Sequence, residues 1–267
     1  MCPAKRRAAR ALREAGRTEA ILTDWTEEDS AAYRTIAEIA VPRRAEMTAA
    51  LLAAVPFAAE DTFRIVEIGS GEGFLAEALL NAHPAASIVA FDGSESMRVA
   101  TTARTARFGS RASVRPFALD ALDWWDVMFG ADLVVSSLCL HHLNDAKKQY
   151  LYKAVADRIS PRGALLIADL IDPLDEASRR VAADAWDLAA REQADAIGRP
   201  DLYARFLDAR WNHFRYPDTA DRPSAIFHHL VWLKHAGFAA VDCWWLFAGH
   251  AVFGGFQPRG QVSRSHT

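Results

Sequence analysis

The chain has 267 residues, 51% of them hydrophobic and 24% charged, and a formal net charge of −3. That suits one enlarged α/β domain with a sizeable core, and the mild acidity lacks the basic footprint of a duplex-binding surface. The three cysteines, Cys2, Cys139 and Cys243, give neither a disulfide framework nor metal-ligand spacing, and no apolar run approaches the roughly 18 residues of a membrane span.

Met1 to Arg17 is rich in Arg and Ala, has a single acid, Glu14, and lacks the apolar stretch of a secretory signal. It reads as a solvated helix on a cytoplasmic protein rather than as an organelle transit peptide. The rest of residues 1–60 is also helical in character. Ala31 to Ala40 and Ala45 to Val55 carry apolar residues at spacings of three and four, with Val41-Pro42 between them.

From residue 61 the pattern changes to short β-rich runs alternating with helical ones. Arg64 to Ile68 is a strand that runs into Gly69-Ser70-Gly71-Glu72-Gly73, and Phe74 to Asn81 is a helix. Ser87 to Phe91 is a second strand ending at Asp92-Gly93. Ser94 caps a helix to Arg107, with Met97 one turn in. Ser113 to Phe117 is a weaker strand leading to Leu119-Asp120, and Asp132 to Val135 runs into Ser136-Ser137. Lys147 to Ile159 is a helix, and Ala164 to Ala168 is a fifth strand ending at Asp169. Such alternation predicts a doubly wound, mainly parallel α/β sheet with helices on both faces. Ala225 to Ala236 is a last helix, and Val241 to Phe247 and Ala251 to Phe256 flank Ala248-Gly249-His250. So short a connection predicts an antiparallel hairpin, bringing the sheet to seven strands. His250, at the turn, is expected to be exposed. Val181, Ala185, Trp186, Leu188 and Ala189 are expected to form a buried helical face, and Trp124-Trp125 and Trp244-Trp245 to pack in the core and on the sheet.

A sheet of this kind binds ligands at the carboxyl ends of its strands, where the winding reverses. The glycine turn would let a ligand approach the backbone, and the helix N-terminus behind it offers free N–H groups. Asp92, 19 residues after Gly73, can accept the hydroxyls of a ribose, and Asp120 an exocyclic amine. The spacing is G-x-G-x-G rather than the G-x-G-x-x-G of a dinucleotide site, and Tyr150 and Lys153 lack the spacing of a Tyr-x-x-x-Lys pair. Both features disfavour a nicotinamide oxidoreductase.

The run Val66-Glu67-Ile68-Gly69-Ser70-Gly71-Glu72-Gly73 resembles the first motif of class I S-adenosylmethionine-dependent methyltransferases. Phe91 to Met97 is similar to their second motif and Ala118-Leu119-Asp120-Ala121 to their third. Asp132 to Leu143, with His141-His142, resembles the fourth strand of small-molecule members such as the ubiquinone/menaquinone methyltransferases. The resemblance covers roughly residues 41–172 and resumes at His229 to Phe238 and the closing hairpin.

The resemblance implies S-adenosylmethionine as cofactor. Glu67, Gly69, Ser70, Gly71, Gly73 and Ser137 would lie at its methionine end, Asp92 and Gly93 at the ribose, and Met97, Asp120 and Ala121 at the adenine. Arg43 or Arg44 would reach its carboxylate. It implies a helical extension (1–60) covering the cofactor site and a methyltransferase domain (61–267), with a helical insertion at 172–225 serving as a substrate lid.

The expected acceptor is a small molecule, methylated by in-line displacement, with no metal, no membrane and a monomeric or homodimeric state. A base is needed only for a protonated acceptor. His142, His141 and Asp169 are the candidates, weighed against a packing role for the His-His pair. The Asp/Asn-Pro-Pro-Tyr pattern of amino-directed DNA enzymes is absent after the fourth strand, and no proline precedes Cys139 as it would in cytosine-C5 enzymes. A transfer-RNA-modifying enzyme, another S-adenosylmethionine-using transferase and a non-catalytic cofactor binder stay as alternatives.

Overall fold

The computed structural model describes residues 25–119, 121 and 124–258. The Arg-rich start of the chain and Asp120 therefore lie outside the described residues. Five strands, β1 (Arg64–Ile68), β2 (Ser87–Asp92), β3 (Ala112–Pro116), β4 (Leu133–Ser137) and β5 (Ala164–Leu170), pair in parallel. The hairpin strands β6 (Ala240–Phe247) and β7 (His250–Phe256) pair antiparallel, with β7 against β5. The order is β3-β2-β1-β4-β5-β7-β6, so the winding reverses between β1 and β4 and opens a crevice at their carboxyl ends.

Alternating side chains of each strand feed two cores. Val66, Ile68, Val134, Leu165, Ile167 and Phe253 face α5 (Asp145–Arg158) and α8 (Ile226–Ala236). Ile65, Leu133, Val135, Leu166 and Val252 face α2 (Arg44–Ala53) and α3 (Phe74–Ala82). Burial on both faces explains why these strands read as continuous apolar runs. Trp124 and Trp125 lie in the first core, as expected, and Trp244 and Trp245 pack half-buried at the edge of the second.

A third core joins α6 (Glu176–Ala196) and α7 (Pro200–Asp208) to Ile36, Ile39 and Ala40 of the N-terminal segment. Its buried face on α6 is Ala182, Ala183, Trp186, Ala189, Ala190 and Ala194. Val181 and Leu188, expected in that face, are 69% and 46% exposed. Small alanines allow the helix to approach closely around Trp186, which rotates the branched residues outward. The turn Ala248-Gly249 has φ of 48° and 71°, left-handed at both positions as a two-residue hairpin demands. His250 is buried rather than exposed, because Trp186 packs edge-on against it at 4.5 Å.

The first helix, α1, spans Glu27–Arg34 rather than Ala31 to Ala40. A reciprocal capping box between Thr26 and Asp29 moves its start forward, and the chain beyond Arg34 turns through single-turn hydrogen bonds that bury Ile36 and Ile39. In α4 (Glu95–Thr105), Ser94 Oγ accepts the Met97 N–H as the cap, and the chain tightens into a 3-10 turn after Thr105.

Candidate active site

The glycine turn is held from two sides. The Gly69 and Ser70 N–H groups both donate to the Phe91 carbonyl, tying the turn to β2. Gly69 has φ +73°, and a Cβ there would lie 2.4 Å from Cys139 Sγ, so backbone conformation and packing each require glycine. Asp92 clamps the other side, its Oδ2 accepting the Gly71 N–H at 2.7 Å and its Oδ1 the Ser94 N–H at 2.9 Å. Each oxygen keeps a further lone pair. Burial holds the Asp92 carboxyl above the usual range in spite of these bonds.

Above this clamp lies a cavity of about 400 Å³. Glu67, Gly69, Ser70 and Gly71 line it from β1, Asp92, Gly93 and Met97 from β2 and α4, and Ser137 and His142 from the region after β4. Trp25, Tyr33 and Arg44 close it from the N-terminal segment. That segment is latched to α4: Glu27 Oε1 accepts the Glu95 N–H at 2.6 Å, and Ser30 Oγ donates to Ser94 Oγ at 3.0 Å. Both carboxylate oxygens of Glu67 are buried with no hydrogen-bond partner among the described residues. Burial, and then the charge of Asp92, push the Glu67 carboxyl well above its ordinary value.

Not every residue singled out in the sequence reaches the cavity. Arg44 does, its Nη2 donating to the Tyr33 hydroxyl at 2.7 Å and to the Ala37 carbonyl at 3.1 Å. Arg43 turns away, with its guanidinium 4.1 Å over the Phe247 ring. Gly73 sits behind the wall as the left-handed entry to α3, facing Thr101, and Ala121 is not in the lining. His141 and Asp169 also lie behind the wall, against His142.

They belong to a buried polar cluster. Asp169 Oδ1 lies 2.5 Å from His141 Nδ1, and its Oδ2 accepts the His141 backbone N–H at 3.0 Å. Burial would raise the Asp169 carboxyl, but the His141 charge and hydrogen bond hold it below the usual value. Asp221, from the segment before α8, lies 3.3 Å from His142 Nδ1 and 3.3 Å from His213 Nδ1. Burial opposes a charged His142, but Asp221 outweighs it and raises the imidazole above its ordinary value. The same interactions, opposing burial, hold Asp221 well below the carboxylate range. Neither Asp221 nor His213 is singled out in the sequence analysis. No local spacing links either to His142.

The sheet order and closing antiparallel hairpin are those of the class I S-adenosylmethionine-dependent methyltransferase fold. Residues 66–165 match the family model described as a methyltransferase domain. The chain is 32% identical to O-demethylpuromycin-O-methyltransferase of Streptomyces alboniger over 111 residues, 41% of this chain and 28% of that protein. An O-methyltransferase family protein from Burkholderia thailandensis superposes with a TM-score of 0.62 at 17% identity, covering 97% of this chain and 70% of that one. The apo S-adenosylmethionine-dependent methyltransferase SibL superposes at 0.55 with 21% identity, covering 79% and 55%. The chain therefore spans little more than a quarter of the curated relative and about half of SibL. Among the described residues, no helix is long and apolar enough to cross a membrane.

Proposed function

We propose that the protein binds S-adenosylmethionine and transfers its methyl group to a hydroxyl oxygen of a small molecule. The observation that carries this is Glu67: a carboxylate with both oxygens buried and unpartnered, in the wall of a cavity that also presents Asp92 and His142. A buried acceptor without a donor costs about 1–3 kcal/mol, and an α-ammonium group would supply the missing donors. The residues fit the cofactor. Glu67 takes its amino group, Asp92 uses its free lone pairs for the ribose hydroxyls, Met97 packs by the adenine, and Arg44 lies within the same cavity to meet its carboxylate. By the sequence resemblance, Asp120 would accept from the adenine amine.

When bound, the cofactor supplies an activated methyl carbon on a sulfonium. The protein's contribution is alignment and exclusion of water. The glycine turn and Asp92 fix one end of the cavity, Trp25 and Tyr33 cover it, and His142, backed by His141 and Asp169, meets the acceptor oxygen. Of the extension at 1–60, the described part from Trp25 onward acts as the cover, and 172–225 acts as the lid that selects the acceptor. The hydroxyl acceptor is favoured by the O-methyltransferases the chain resembles and by the polar cluster beside the cavity. We further propose a cytoplasmic protein, monomeric or homodimeric, that does not act on nucleic acid.

Calorimetry with S-adenosylhomocysteine, with NADH as control, tests the cofactor on wild type and Asp92→Ala. Binding of the adenosyl compound alone, lost in the variant, supports the reading. Preference for NADH, or no binding, overturns it. His142→Ala should then abolish turnover of a phenol and alcohol panel while keeping S-adenosylhomocysteine binding.

A further inference from the structure

Behind the cavity wall, imidazoles of three residues surround one carboxylate. Asp169 Oδ1 accepts the proton of His141 Nδ1, which leaves Nε2 as the nitrogen turned towards Asp221. His141 Nε2 lies 3.7 Å from Asp221 Oδ1, beyond hydrogen-bond range. His142 Nδ1 lies 3.3 Å from the same oxygen, and His213 Nδ1 lies 3.3 Å from Oδ2 without a hydrogen bond of acceptable geometry among the described residues. The three histidines are 6–8% exposed.

We propose that His141 Nε2, His142 Nδ1 and Asp221 form a binding site for one divalent transition-metal ion. One donor atom from each lies within 4.8 Å of the others. Ligands about 2.1 Å from a tetrahedral ion stand about 3.4 Å apart, so the two nitrogen-to-carboxylate separations of 3.3 and 3.7 Å are near that spacing, and the two nitrogens, within 4.8 Å of each other, would close on the ion. Two imidazoles and one carboxylate suit zinc, iron, cobalt or nickel rather than magnesium or calcium. Asp169 behind His141 is the second carboxylate that commonly orients a ligating histidine and fixes its tautomer. His213 Nδ1 lies 3.3 Å from the far oxygen of the Asp221 carboxylate.

Three protein ligands leave coordination positions for another group, and His142 belongs to both the cluster and the cavity wall. A cation here would draw an acceptor hydroxyl to that end of the cavity and lower its pKa, the proton leaving to water. This role rests on the methyl-transfer reading; the metal site does not.

The test uses tag-free, chelator-stripped full-length protein titrated with Co²⁺ and followed by visible d–d absorption, with Zn²⁺ as competitor. One saturable equivalent, displaced by Zn²⁺, is expected. It should be lost in His141→Ala and Asp221→Asn and unchanged in His228→Ala, an exposed histidine. Asp169→Asn keeps every ligand and should weaken binding about 10–100-fold, which keeps the proposal testable if a ligand variant does not fold. No saturable band in wild type, or a band that survives both ligand variants, overturns the site and leaves a cluster held by protons alone. S-adenosylhomocysteine calorimetry on the same samples separates the two readings. Cobalt bound without it sinks methyl transfer alone, and S-adenosylhomocysteine bound without cobalt sinks the metal alone.

Discussion

Glu67 and Asp92 lie near the carboxyl ends of adjacent parallel strands, both in the wall of one cavity, and the Asp92 charge adds to the burial that raises the Glu67 pKa. The pair holds negative charge where the unliganded protein gains least from it. A carboxyl whose folded pKa lies above its unfolded value contributes stability below about pH 4.5, and that stability is lost as pH rises through the folded pKa. Glu67→Gln should therefore melt higher than wild type at pH 8, by a few degrees at about 2–4 °C per kcal/mol, and the gap should close towards pH 4. The same variant should bind S-adenosylhomocysteine about 10-fold or more weakly, since a hydrogen bond to a charged group is worth about 1.5–3 kcal/mol. Thermal melts and calorimetry on one preparation check both signs. A variant that is neither more stable nor weaker in binding would remove Glu67 from the ammonium site.

Gly69→Ala tests the glycine turn. The substitution meets a left-handed φ and a Cβ only 2.4 Å from Cys139 Sγ. Gly198, which follows α6 with φ +68° and nothing within 4 Å of its Cβ position, isolates the conformational part. Gly198→Ala should cost about 1 kcal/mol, and Gly69→Ala measurably more in urea unfolding, with cofactor binding lost only in the latter. Equal costs would mean that Cys139 yields freely.

The parallel strands and the closing hairpin were legible because burial on both faces leaves continuous β-branched runs, and Gly69, Asp92 and Ser94 sit where the chain changes from strand to helix. The misses come from contacts made across the chain. His250 has the local signature of an exposed turn, yet a helix more than 50 residues earlier covers it with Trp186. Val181 and Leu188 share spacing with Trp186, but the close approach of alanines selects the neighbouring face. Asp221 and His213 join His142 only because residues 172–225 fold back over the end of β4. Arg43 and Arg44 are adjacent and identical in type, but Arg43 is the left-handed N-cap of α2 (φ 50°) with its side chain on Phe247, while Arg44, the first helical residue, enters the cavity.

Two histidines outside the site set an acid limit on the fold. Burial lowers His229 and His250 each to about 4, from an ordinary 6.5. Between those values the unfolded chain binds protons that the folded one refuses, so stability is full above about pH 6.5 and falls as pH drops towards 4. Each contributes up to about 1.4 kcal/mol per pH unit in that window. His250→Gln should start less stable at pH 7 but show a shallower loss between pH 6 and 5, by about 1 kcal/mol per pH unit. Urea unfolding at the two pH values measures it, and parallel slopes would show that His250 takes up no extra proton on unfolding.

The adjacent arginines give the sharpest separation of cofactor binding from packing. Arg44 is braced by the Tyr33 hydroxyl and the Ala37 carbonyl with its guanidinium in the cavity, while Arg43 lies over Phe247 and 3.6 Å from Glu46. Arg44→Ala should weaken S-adenosylhomocysteine about 10-fold or more, the worth of one charge-assisted hydrogen bond in a half-enclosed site. Arg44→Lys should recover little, because an ammonium cannot hold Tyr33 and a ligand carboxylate in one planar fork. Arg43→Ala should leave affinity unchanged and alter only stability, by a cation–π contact worth about 0.5–1 kcal/mol at an exposed position. Calorimetry on the three variants decides. Equal losses at 43 and 44 would mean that the start of α2 moves as a unit when the cofactor binds, and would put the carboxylate contact on the helix rather than on the Arg44 side chain.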